Sequence, residues 1–276
     1  MTFIKHGWGL VRSQLPSVII LFLYQLLWGF FLYRIINSAI VAVLSRYPDP
    51  APTELSRLLY LFEAQLELQH NSSVHQYFWL LLGMIGLRLL LTPLLESGIL
   101  YGLLPQESRK SGLPLFRGMM EFWKPVSLLF LIELALLSLP AFWIVPELLS
   151  LWPSLIPEGT RLMPLLTIGG YLLTYFIYGW LVRQVILFVK FGYLFKSGIG
   201  SAIVISLRHL LQGIVITIIL GSFIAGIFLL FGVASWVFTG ILALILQQTY
   251  PFIRSLFQVW NVTSQYQLWN SRSQKG

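Results

Sequence analysis

Apolar residues in this chain gather into stretches about as long as a bilayer is thick, and the segments between them carry most of the charge. A hydrocarbon core about 30 Å thick needs ~20 helical residues at about 1.5 Å each. Backbone groups placed there must find partners inside their own segment, so each stretch predicts a spanning helix. Six are expected, at about 17–44, 77–104, 125–145, 164–189, 213–232 and 234–258, with a tight turn at Gly232 between the last two. Composition agrees, because 57% hydrophobic with only 10% charged residues lies outside the balance of a soluble domain. The expected fold class is therefore all-α: a polytopic transmembrane helix bundle of six spans forming a single integral membrane domain.

The bases orient this map. Lys5, Arg12, Arg109, Lys110, Arg117, Lys124, Lys190, Lys196, Arg208, Arg272 and Lys275 fall on one side of it, and Arg46, Arg57 and Arg161 on the other. Basic loops resist translocation, so the first side is cytoplasmic, both termini are inside, and a bacterial plasma membrane is the expected location. Tryptophan, which favours the headgroup region, agrees: Trp8, Trp123, Trp260 and Trp269 mark inner boundaries, and Trp79, Trp143, Trp152 and Trp236 outer ones. The first apolar run is too long for a removable signal of ~7 to 15 residues and predicts an uncleaved anchor. A net charge of +8 thus has a topological explanation. Nucleic acid is not an expected partner, since no clustered basic helix or base-stacking platform is present. Cysteine is absent, which excludes disulfides, thiol redox chemistry and thiolate metal sites.

Shorter periodic segments lie between the spans. After Pro48, Pro50 and Pro52, Thr53 offers an N-cap, and Leu55, Leu58, Leu59, Phe62 and Leu66 predict an amphipathic helix over 53–69 on the outer face. On the inner side Ile4, Trp8, Val11 and Leu15 form a stripe before span one. Phe116, Met119, Met120 and Trp123 do so before span three, and Ile199, Ala202, Ile203 and Leu210 before span five. Each predicts a basic amphipathic helix in the cytoplasmic interface. Lys110-Ser111-Gly112-Leu113 and Lys196-Ser197-Gly198-Ile199 open two of these segments alike, and Pro125 or Gly213 follows at the start of the next span. The echo suggests parallel-oriented hairpin repeats, three in number.

Gly192 to Gly213 combines a glycine, the Lys-Ser-Gly turn, an amphipathic stretch with Ala202 and Ser206, and a glycine opening an apolar span; Pro93 to Gly118 holds a corresponding turn. These stretches resemble a superfamily of uncharacterised bacterial six-helix membrane proteins. It includes YciC-like proteins and the membrane region that precedes some glycerophosphodiester phosphodiesterases. The resemblance implies a six-helix bundle with a non-enzymatic role. It does not carry over the phosphodiesterase activity, whose domain has no counterpart after span six.

Ionisable groups inside spans are the natural functional candidates, because a charge at mid-bilayer costs at least ~2.5 to 3.5 kcal/mol. Arg34 and Arg254 lie near helix ends and can snorkel to headgroups. Arg88 and Glu133 come close to the midplane on spans two and three, and Glu96 and Arg183 match in depth on spans two and four. The expected pairs are Arg88 with Glu133 and Glu96 with Arg183. Paired, they fix helix register; unpaired, they line a polar or proton-coupled route with Glu133 titrating and Gln184, Gln247 and Gln248 along it. Gly221 with Ala225, and Ser222 with Gly226, have the spacing of close helix packing. His70 and His75 lack the spacing of a zinc helix, and no nucleophile motif, phosphate loop or dinucleotide fingerprint occurs. No catalytic residue, metal or cofactor is expected. The chain reads as a non-enzymatic scaffold or accessory subunit partnered by the lipid bilayer and by a membrane or cytoplasmic protein. A small permease, or the membrane subunit of a transporter, is the alternative.

Overall fold

Short and long helices alternate in a fixed order along the chain. The computed structural model describes residues 2–44, 72–105, 112–151, 162–237 and 241–273. Among them a short helix α1 (Thr2–Ser13) precedes long α2 (Leu15–Leu44) and α3 (Ser72–Tyr101). Short α4 (Pro114–Glu121) precedes α5 (Trp123–Leu151) and α6 (Leu162–Leu194), and short α7 (Ile199–Arg208) precedes α8 (Leu210–Val237) and α9 (Ile241–Ser273). All described regular structure is helical. The three expected lead-in segments are thus discrete helices, each directly before an odd-numbered span. The helix expected over 53–69 lies outside the described residues.

Five helical stretches are long and apolar enough to cross a membrane: Leu15–Ser38, Phe78–Tyr101, Trp123–Ser150, Leu166–Leu194 and Leu210–Ala234. The sixth expected stretch, 234–258, is not among them. Within α9 the apolar run is diluted by Gln247, Gln248 and Arg254. The expected turn at Gly232 also moves, because α8 continues through that glycine to Val237. An α-helix that keeps its backbone hydrogen bonds tolerates glycine in a membrane better than a turn with open backbone groups.

The chain forms two compact units, Ile19–Thr92 and Met1–Val18 with Pro93–Gly276. In the smaller unit the Arg88 guanidinium lies over the Trp28 ring, 5.4 Å from its centroid. That cation–π contact shelters the charge on an otherwise apolar surface where Phe30, Trp79, Leu87 and Leu90 are exposed.

In the larger unit the core gathers at one end of the long helices. It includes Leu100, Val126, Phe188, Phe191, Ile216, Leu220, Tyr266 and Trp269. Aromatic rings knit α6 to α9, with Phe191 5.6 Å from Tyr266 and Phe195 5.5 Å from Trp269. Beyond this core α5, α6 and α8 expose Phe142, Trp143, Phe176, Phe228 and Leu230. Lipid is the solvent that such surfaces suit.

The hairpin echo is present in the backbone. Gly112 and Gly198, the glycines of the two Lys-Ser-Gly turns, both have positive φ, 126° and 93°, a conformation that favours glycine. The breaks between short and long helices fall at Gln14, Phe122 and His209. Four residues later Val18, Val126 and Gly213 are all buried, and their N–H groups donate to the break residues' carbonyls at 3.1, 3.2 and 3.1 Å. Seven residues before each break, Gly7, Leu115 and Ala202 meet a returning helix at Ser264, Gly98 and Gly192. Each short helix therefore docks on the end of the preceding hairpin, and α1 closes the cycle on α9. A Cβ on Gly98 would stand 2.7 Å from Leu115, and one on Gly7 would stand 2.9 Å from the Ser264 Cα. Glycine is what permits both approaches. The α1 stripe expected to face lipid is thereby corrected: Val11 is buried, and Trp8 packs 4.8 Å from Trp260.

Candidate functional site

Charge in the larger unit converges on one side chain that stands just past the expected end of the fourth span, at 189, and inside the apolar helical stretch Leu166–Leu194. Lys190 lies on α6 with Phe188, Val189 and Phe191 around it in sequence, and only 2% of its side chain is exposed. An ammonium buried so deeply requires acceptors on all its protons. Its Nζ donates to both Glu96 oxygens, at 2.7 and 2.8 Å, and to Glu133 Oε2 at 3.2 Å. The carboxylates come from different helices, Glu96 from α3 and Glu133 from α5. Glu96 is 25% exposed and Glu133 13%. Arg183, two turns before Lys190 on α6, adds a looser pair, with Nε 3.7 Å from Glu133 Oε1 and its side chain 72% exposed. Two acids and two bases thus balance across three helices.

The expected pairings are therefore corrected. Glu96 pairs with Lys190 rather than Arg183, Glu133 bonds Lys190 and Arg183, and Arg88 rests on Trp28. The carboxylates were rightly chosen, but Lys190 stands two turns beyond Arg183 on the same face of α6, and that axial offset decides the partner of Glu96. Lys190 was missed because the fourth span was expected to end at 189, which made it a base of the following loop, where a base ordinarily serves topology. Its clue was the uninterrupted apolar sequence on both sides.

A second, neutral cluster joins α6, α8 and α9. Gln184, one of the expected lining residues, is 5% exposed and Gln265 is fully buried. Gln184 Nε2 donates to Gln265 Oε1 at 2.9 Å, and Gln265 Nε2 donates to the Gly213 carbonyl at 3.0 Å and to Thr217 Oγ1 at 3.1 Å. Thr217 in turn donates to Asn261 Oδ1 at 3.5 Å. Gly213 is required here, because a Cβ on it would stand 2.5 Å from Gln184 Nε2. Gln265 escaped notice because it follows Arg254 and Trp260, where the chain reads as leaving the membrane. Gln248 is exposed, and the Gln247 side chain lies outside the described residues.

The third junction, between α9 and α1, has its own polar link: Trp260 Nε1 donates to the Ile4 carbonyl at 2.9 Å. Each boundary between hairpins is thus fastened by a different chemistry: an ionic cluster from first to second, amides from second to third, and an indole from third back to first. Among the described residues no group of three or more His, Asp or Glu side chains is arranged to hold a metal ion. Compared with known protein families, with characterised proteins and with solved structures, the chain matches none.

Proposed function

We propose that this chain is a multi-pass integral protein of a bacterial plasma membrane, acting without catalysis as a scaffold or accessory subunit. The observation that carries the proposal is that the charges around Lys190, and the amides of Gln184 and Gln265, are paired with one another. A permease must present such groups to water, whereas here Lys190 bonds Glu96 and Glu133, and Gln184 bonds Gln265. Buried polar groups that are fully paired set register rather than offer a route.

The same packing supports a reading of six spans, and the distribution of bases supports placing both termini in the cytoplasm. Helix α9 runs antiparallel along the apolar helix α8, with Tyr250 against Phe228, Asn261 against Thr217 and Gln265 against Gly213. Its far end meets α1, the helix that leads into the first span. A chain whose two ends meet on one side of a membrane crosses an even number of times. This arrangement, with its two Lys-Ser-Gly turns, also favours kinship with the YciC-like six-helix proteins. One observation favours the permease alternative: Arg183 is 72% exposed on a spanning helix.

Affinity purification from native membranes, after brief crosslinking, tests the proposal. A protein partner recovered in fixed stoichiometry is expected, with Glu133→Gln lowering folded yield but not the partner ratio of the protein that folds. A soluble ATPase as that partner would transfer the chain to a transporter. Solute flux into vesicles holding the chain alone would establish the permease.

A further inference from the structure

The break between α7 and α8 brings together positive groups that the rest of the unit leaves unneutralised. Arg208 closes α7, His209 is the break residue, and the last turn of α9 supplies Arg272. Arg272 Nη2 reaches the Gln212 amide oxygen at 3.4 Å. Its Nε–H is buried without an acceptor, a costly state for a charged donor. Among the described residues no carboxylate pairs with Arg208 or Arg272, whereas Lys190 and Arg183 are paired with Glu96 and Glu133. The His209 imidazole is held below its usual range, first by burial and then by Arg272 and Arg208. The location is thus electropositive and partly dehydrated, a setting in which an anion with several acceptor oxygens is held well.

The surface beside it is apolar. Val204 and Leu207 on α7 and Leu211 at the start of α8 are exposed. With Val215 and Ile218, also exposed, they carry the stripe on to the spanning part of α8. At the equivalent breaks Gln14 and Phe122 occupy the position of His209, and although Phe116, Met120 and Trp123 are also exposed on and after α4, an acid, Glu121, stands there in the position of Arg208. On α1 the outward residues include Lys5, His6, Gly9 and Arg12, and exposed apolar residues begin only beyond it, at Leu15.

We infer that the α7–α8 break is a binding site for an acidic phospholipid, with the lipid phosphate at Arg208, Arg272 and Gln212 and an acyl chain along Val204, Leu207 and Leu211. The inference rests on the membrane-embedded reading above, and it would make the protein a selective holder of anionic lipid. Two guanidiniums and an amide supply the donors that phosphate oxygens need, while the exposed stripe supplies what a soluble anion does not use.

The test uses the full chain in nanodiscs of phosphatidylcholine with a minor fraction of phosphatidylglycerol, followed by native mass spectrometry of retained lipid. The wild type is expected to retain phosphatidylglycerol in excess of its share. R208Q/R272Q should lose that enrichment by about fivefold per arginine. R208K/R272K should keep part of it, which guards against misfolding as the cause. K5Q/R12Q, which removes as much charge from α1, should retain it fully, and L207S/L211S should weaken it. Equal loss in R208Q/R272Q and K5Q/R12Q would replace the site by diffuse surface charge and overturn the inference. Displacement by inorganic phosphate, with L207S/L211S unaffected, would identify a phosphate site and overturn the lipid assignment. Extraction of the protein from membranes by alkaline carbonate would instead sink the membrane-embedded reading itself.

Discussion

The ionic cluster on Lys190 and the amide network on Gln265 lie in the same unit and share helix α6, yet they handle buried polarity in opposite ways. The ionic cluster joins α3, α5 and α6 through charges that are tolerable only as a set. Withdraw one member and the others remain, buried and uncompensated. The amide network joins α6, α8 and α9 through neutral groups, each of which makes one to three hydrogen bonds of modest net value. The first therefore penalises incorrect assembly of the first two hairpins strongly, and the second fine-tunes the join to the third. The comparison also explains why α8 opens with glycine: the amides come so close to its backbone that a side chain there would displace them.

The largest expected effect comes from Lys190→Met, which strands Glu96 and Glu133 and should cost about 3–5 kcal/mol, read as a fall in unfolding temperature in detergent. K190M/E96Q/E133Q, which removes the set together, should recover most of that loss. If the triple variant were no better than the single one, the cluster would owe its importance to something other than charge pairing. Next come Gln265→Leu and Gly213→Ala, each expected to cost about 1–3 kcal/mol, the former by orphaning the Gln184 amide and the latter by overpacking. Arg183→Gln should cost less than about 1 kcal/mol, because its side chain is 72% exposed and its pair with Glu133 is loose. A larger loss would make Arg183 an integral member of the cluster.

The smallest effect concerns pH. With His209 held below its ordinary value of 6.5, the unfolded chain binds more protons than the fold between the lowered value and 6.5. Stability contributed at this residue is therefore complete above 6.5 and lost as pH falls through the lowered value. A shallow decline in thermal stability on acidification should flatten in His209→Gln. The effect belongs to neither polar cluster, and a decline unchanged in that variant would point back to the carboxylates.

Much of the helical plan was legible in the sequence because long apolar runs and short periodic ones obey different physical constraints. Ile199–Arg208 could be placed as a lead-in helix from its spacing alone, and the paired Lys-Ser-Gly sequences pointed to the two glycines that share a positive φ. Glu96, Glu133 and Gln184 were identifiable as buried groups because a polar side chain inside an apolar run has no cheap explanation. Their partners were not, since Arg183 and Lys190, seven residues apart, share one face of α6 about two turns apart, and only the axial placement of the helices decides which of them meets a carboxylate. Nor could Gln265 be found, because α9 mixes Gln, Asn and Ser with Val259, Tyr266, Leu268 and Trp269, and the burial of that helix depends on neighbours. Docking of α1 on α9 was likewise hidden, since it joins the two ends of the chain and leaves no local pattern.

The central claim is that the charged cluster is dry and structural. The absence of cysteine from the chain makes a direct measurement possible, because any introduced thiol is unique. Leu129 and Ile186 each stand one turn from a cluster residue, Glu133 and Lys190, and both are buried. Exposed Gly200, with open space around it, serves as the control. In permeabilised membranes a charged, water-soluble maleimide should label Gly200→Cys and leave Leu129→Cys and Ile186→Cys unmodified until the protein is denatured. Labelling of either buried position in the folded protein, at a rate near that of the control, would mean that water reaches the cluster and would contradict the account.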